Sequence, residues 1–138
     1  MQSLSQELAG KLVTAASALA RDAYGKPVCV SVCDTFGFLI AFSRMDGAPV
    51  RSIQIAQQKA YTCTRMGVST VAFLERLRSE NVSIGFFCDP LLTALPGGAL
   101  LADAHDRPLG AVGVSGLAPA DDQALAEQVA AELLRLAV

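Results

Sequence analysis

Residues 28–33 (VCVSVC) and 38–44 (FLIAFSR) are apolar at nearly every position, not at every second one. β-Branched and aromatic residues dominate both, which marks them as strands. Strand side chains alternate between faces, so a strand that is apolar throughout needs cover on both sides, from helices or from another subunit. Asp34-Thr35-Phe36-Gly37 between them has tight-turn chemistry. The pair is therefore expected as an antiparallel hairpin within a covered sheet.

The flanking sequence supplies the cover. Residues 4–24 carry Leu4, Leu8, Leu12, Ala16, Leu19 and Ala23 at helical spacing. Ser3 with Gln6 reads as a capping box, and Gly25 followed by Pro27 as the stop. After the break Met45-Asp46-Gly47-Ala48-Pro49, a second helix is expected over 52–66. Its stripe Ile53, Ala56, Ala60, Cys63 and Thr64 should face the sheet, with Gln54, Gln57, Gln58, Tyr61 and Arg65 in solvent. Ile55, Lys59, Thr62 and Met66 form an intermediate stripe, read as a pocket wall or a subunit contact. Ser69 caps a short helix over 70–78. Residues 82–88 are expected as a strand and 89–96 as a proline-bounded loop. Strands over 99–102 and 108–115 flank the turn Asp103-Ala104-His105-Asp106, and Pro119 opens the last helix. Leu125, Val129, Leu133 and Leu136 form its buried stripe. The order predicts one α+β domain over 1–138, with a single antiparallel sheet and helices over it.

Composition narrows the function classes. Only 17% of residues are charged against 52% hydrophobic, which excludes a disordered chain and suggests apolar surface given to subunit contacts. Lys and Arg are scattered, so no nucleic-acid groove is expected. No run approaches the roughly 18 apolar residues of a membrane span. The opening lacks a basic, then apolar, leader, so the expected location is the cytoplasm. Cys29, Cys33, Cys63 and Cys88 include no Cys-x-x-Cys. Cys29 and Cys33, four residues apart on one strand, are separated by roughly 13 Å and cannot bridge each other. All four are read as small buried hydrophobes.

Few motifs carry chemistry. His105 is the single histidine; a triad with Ser115 and Asp103 can be drawn, but its place is a polar turn. One imidazole excludes a multi-histidine metal site within the chain, so no metal is assigned. Gly110-x-x-Gly113-x-x-Gly116 lacks the spacing of a dinucleotide fingerprint. Arg44-Met45-Asp46-Gly47 is more informative. It reads as an Arg–Asp pair that stiffens a turn, or as an anion-binding corner in which Arg44 offers a planar fork beside a helix N-terminus. Lys59 either snorkels to solvent or, partly desolvated, holds a ligand carboxylate with help from Thr62.

The ordered set of motifs resembles the GlcG/HbpS family. Phe42-Ser43-Arg44-Met45-Asp46-Gly47-Ala48-Pro49 is followed by Ser52-Ile53-x-Ile55-Ala56-x-x-Lys59-Ala60-Tyr61-Thr62, then Pro96-Gly97-Gly98 and Leu109-Gly110-Ala111-Val112-Gly113-Val114-Ser115-Gly116. The resemblance covers nearly the whole chain. It implies a profilin-like fold, with a five-stranded antiparallel sheet flanked by helices on both faces. It also implies a homo-oligomer, tetramer to octamer, and haem as a candidate ligand, as in HbpS itself and the C-terminal domain of PduO. Two turns depart from the family pattern: Pro-Gly-Gly-x-Pro becomes Pro96-Gly97-Gly98-Ala99-Leu100, and Asp-x-Asp-Gly becomes Asp103-Ala104-His105-Asp106. Axial ligation of haem would fall to His105, Met45, Met66, Tyr61, Cys63 or Cys88.

Two functions are carried forward. One is a small-molecule-binding oligomer whose ligand meets Arg44, Met45, Asp46, Lys59 and Thr62. The other is a small cofactor-free enzyme of lyase or isomerase type, acting on a carboxylated or aromatic metabolite with Lys59 or Asp46 as acid or base.

Overall fold

The computed structural model describes residues 3–138. The first helix, α1 (Gln6–Leu19), starts at Ser5, whose Oγ accepts the Leu8 N–H at 3.1 Å. The expected cap at Ser3 thus moves two residues on, and Leu4 falls just before the cap as a buried staple. A π-helical turn, Ala20–Tyr24, ends at Gly25 in the left-handed region. The hairpin follows as β1 (Cys29–Cys33) and β2 (Leu39–Arg44), its turn held by Asp34, which accepts the Phe36 and Phe38 N–H groups. Helix α2 (Arg51–Met66), helix α3 (Thr70–Glu80), β3 (Gly98–Ala102), β4 (Pro108–Ser115), α4 (Pro119–Ala131) and the short α5 (Leu133–Leu136) complete the chain.

The sheet is antiparallel in the order β2-β1-β4-β3. It has four strands, not five. Residues 82–88, expected as the fifth, form a 3-10 turn over Ile84–Phe87 instead. Phe87 packs edge-on to Phe73 of α3 at 5.4 Å, and the Arg76 guanidinium lies over its ring. Val82, Ile84 and Phe87 pack partly buried against Phe73 and Leu77 of α3 rather than along a sheet edge, and Phe86 is exposed. Cys88 therefore ends exposed, unlike the buried Cys29, Cys33 and Cys63; all four are free.

Alternation along β1 and β4 separates two cores. Val28, Val30, Val32, Val112 and Val114 pack with α1 and α4, through Leu8, Leu12, Leu125 and Val129. On the opposite face Cys29, Cys33 and Ala111 meet Ala56, Ala60 and Cys63 of α2. Helices thus cover both faces, as expected, but the cover is centred on β1 and β4. The edge strand β2 is only half-buried, and Leu39 is exposed. Small residues let α2 lie directly on the sheet. A Cβ on Gly113 would overlap the Ala56 carbonyl oxygen of α2.

The β3–β4 turn depends on one carboxylate. Asp103 accepts the His105 and Arg107 N–H groups at 2.8 and 3.0 Å and the Arg107 Nε at 2.8 Å. The Arg107 amide, ahead of the other donors, holds its carboxyl below the usual aspartate value. A carboxyl with a lowered folded pKa contributes its full stability above the ordinary value of about 3.9, and loses it as pH falls through the lower folded value. The acid limb of a pH–melting profile is accordingly expected to be shallower in Asp103→Asn. Gly113→Ala is expected to cost about 3 kcal/mol in urea denaturation, because α2 must lift from β4.

Candidate functional site

The apolar stripe of α4 contains a carboxylate. Asp122 precedes Leu125, Ala126 and Val129 at helical spacing and is as buried as they are. A buried charge needs a partner. Lys59 of α2 supplies it: Nζ lies 3.0 Å from Asp122 Oδ2, with both side chains 3% exposed. Nζ also donates to the Val114 carbonyl at 2.8 Å, and Asp122 Oδ1 accepts the Leu117 N–H at 2.9 Å. Burial draws the Lys59 pKa down and the Asp122 pKa up, while their mutual attraction opposes both shifts. The pair joins helices from opposite sides of the sheet around the end of β4.

The chain entering β3 passes over this ammonium. Gly97 has φ +137°, and a Cβ there would stand 2.5 Å from Lys59 Nζ and 2.6 Å from the Val114 oxygen. No side chain fits. Gln123, next to Asp122, completes the junction. Its Oε1 accepts the Gly97 N–H at 2.6 Å and the Thr70 hydroxyl at 3.1 Å. Its Nε2 donates to the Gly98 carbonyl at 3.0 Å and to Glu127 at 3.1 Å. Thr70 Oγ1 in turn accepts the Gly98 N–H at 2.9 Å.

The segment before Gly97 is pinned to α2 from behind. Thr62 Oγ1 donates to the Gln58 carbonyl and accepts the Thr93 N–H at 2.9 Å. The Tyr61 hydroxyl donates to Asp89 at 2.6 Å, and Gln58 Nε2 to the Leu91 carbonyl at 3.2 Å. Between this segment, α3 and the start of α4 lies an open cleft of about 1020 Å³. Its walls are Val71, Leu74 and Leu77 of α3, Leu92 to Pro96, and Pro119 and Ala120; its polar groups are Arg78, Thr93, Gln123 and Glu127.

The structure divides the residues picked out in the sequence. Lys59 and Thr62 come together behind the cleft as supports, not as lining. Lys59 is 2% exposed and its ammonium is bonded to Asp122 and Val114. Arg44, Met45 and Asp46 lie elsewhere. Arg44 is exposed at the end of edge strand β2, opposite Cys29, with β1 between it and β4. Two strand spacings amount to roughly 10 Å. Asp46 is exposed and makes no ion pair with Arg44. Met45 Sδ accepts the Val28 N–H. His105 lies in the β3–β4 turn and Ser115 at the far end of β4, roughly 20 Å away, so no triad forms. Among the described residues no cluster could hold a metal ion, and no helix is long and apolar enough to cross a membrane.

Sequence reasoning missed Asp122, Gln123, Thr70 and Arg78. The first carried a signal, a carboxylate within the spacing of an apolar stripe. Removing either partner of the buried pair is expected to cost about 3–5 kcal/mol. Lys59→Met and Asp122→Leu should each shift the urea midpoint strongly, and the double variant should recover most of the loss.

Residues 4–131 match the model of the family described as haem degrading protein HbpS-like. Protein GlcG of Escherichia coli K12 is 35% identical over 112 residues, 81% of each chain. A double mutant of HbpS from Streptomyces reticuli superposes with a TM-score of 0.82 at 28% identity, covering 95% of this chain and 87% of that one. The haem complex of PduOC gives a TM-score of 0.82 at 25% identity, covering 94% of both. With the family model matching residues 4–131 and a relative 35% identical over 81% of each chain, the chain belongs to the HbpS-like family.

Proposed function

We propose that this protein binds a small molecule in the cleft between α3 and α4, and that it does so as a homo-oligomer. The cleft carries the reading. At about 1020 Å³ it has the size of a ligand site, its walls are mostly apolar, and hydrogen bonds from α2 and Gln123 fix them from behind. Haem is the ligand that the relatives bring, through the PduOC complex and the family description. The same kinship supports grouping the four-stranded fold with profilin-like domains.

The lining suits the apolar body of a macrocycle, and Arg78 suits its carboxylates. It does not suit the iron. No His, Cys, Met or Tyr lines the cleft. Elsewhere His105 is exposed in the β3–β4 turn, Tyr61 is bonded to Asp89, and Met45 Sδ is taken by Val28. Met66 packs with the apolar cluster around Phe73. Burial pushes the Cys63 thiol up to about 12, and Cys88 is exposed beyond the 3-10 turn. Haem in this cleft is held by its walls and its carboxylates.

Arg44, Met45 and Asp46 serve, in this reading, as a contact with a neighbouring subunit. The low charge and the exposed Phe36, Phe38 and Phe86 support assembly. Native mass spectrometry should find a multimer, and Arg44→Ala should shift it toward smaller species. Haem titration should give a broad, weakly shifted Soret band. Leu74→Trp, which fills the cleft, should weaken binding at least about tenfold without lowering the melting temperature. A monomer, or haem binding indifferent to Leu74→Trp, would refute the reading.

A further inference from the structure

We infer that the ligand class this cleft selects is an apolar carboxylic acid, a carboxylate on Arg78 and its body along Leu74, Leu77 and Leu92. The inference rests on the cleft being the binding site and goes further, to the chemistry of the occupant. It comes from an account of the polar groups in the lining. Gln123 has all four of its amide hydrogen-bond partners within the protein. Thr93 Oγ1 accepts the Leu95 N–H, and Glu127 Oε1 accepts from Gln123.

Arg78 is different. Like Arg44, Arg51 and Arg65 it makes no ion pair among the described residues, but it alone of these lines the cleft, and its side chain makes no hydrogen bond there. A guanidinium presents a planar fork that matches a carboxylate in two parallel hydrogen bonds. Set beside apolar walls, it pairs an acid more strongly than it would in open water. Glu127, on α4, supplies the opposite charge within the same lining. It disfavours a carboxylate on its own side and so directs the acid end of an occupant to Arg78. A neutral hydrocarbon or alcohol fills the walls but leaves Arg78 unpaired. With no iron ligand in the lining, the occupant's own charge is what the cleft can grip.

The test uses the full chain and 8-anilinonaphthalene-1-sulfonate, an apolar fluorescent probe with a single anionic group. Dodecanoate and dodecanol, equal in chain length, compete for it in the unmodified protein and in Arg78→Gln, Arg78→Lys and Leu74→Trp. Dodecanoate should displace the probe at a concentration at least about tenfold below that of dodecanol. Arg78→Gln should abolish that preference, and Arg78→Lys should keep part of it. Arg78 lies on the surface of α3, so both variants should melt with the unmodified protein. Equal displacement by acid and alcohol, or a preference unchanged in Arg78→Gln, would overturn the inference while leaving the cleft as a binding site. Probe fluorescence unaffected by both competitors and by Leu74→Trp would place the probe elsewhere and remove the cleft reading with it.

Discussion

The contact between Lys59 and Asp122 organises the molecule. Each charge alone would be costly in the apolar interior, and together they join the two helical layers around the end of the sheet. α2 lies on one face, α4 on the other, and the pair meets where β4 hands over to α4. The Val114 carbonyl and the Leu117 N–H complete the coordination of the two ions. Both ions are therefore fixed by backbone as well as by each other. Direction as well as proximity is specified, which a hydrophobic contact does not provide.

That junction also determines what can lie above it. Gly97 crosses the ammonium because it has no Cβ, and Gln123 binds the next two peptide groups. β3 therefore starts at a fixed height over α4. The segment before it is held to α2 by Thr62, Tyr61 and Gln58. The resulting cleft has walls that are ordered before any ligand arrives, which removes part of the entropic cost of binding. Its apolar side chains come largely from α3 and the pinned segment, and its support from Thr62, Tyr61 and Gln58 of α2, which do not line it.

This arrangement changes how kinship with haem-binding relatives applies to the chain. The fold is shared, and in the proposed site the side chains determine which part of a ligand would be held. Here they offer hydrocarbon walls, a guanidinium without an acid partner and a carboxylate on α4, with no donor for iron. Recognition in such a site depends on shape and on one charge. Charge pairing near a low-dielectric wall gives selectivity out of proportion to the area that it buries.

Much of the fold was legible in the sequence. The unbroken apolar character of residues 28–33 required cover on both faces, and helical spacing located α1, α2 and α4. The expected fifth strand failed because periodicity in 82–88 cannot distinguish a strand from a 3-10 turn packed on α3. For the site, Lys59 and Thr62 stood out in the sequence, but as intermediate in burial; the structure buries both, because partners far along the chain cover them. Asp122 and Thr93 lie 63 and 31 residues away from them. Spacing along a chain reports the face on which a residue lies and carries no information on what meets that face. Local sequence therefore determined the elements and their buried sides. Only tertiary structure decided that Lys59 is sealed by Asp122, that Arg44 is stranded at a sheet edge, and that Arg78 is left facing an apolar cleft. Those outcomes depend on long-range packing and on the desolvation that packing imposes.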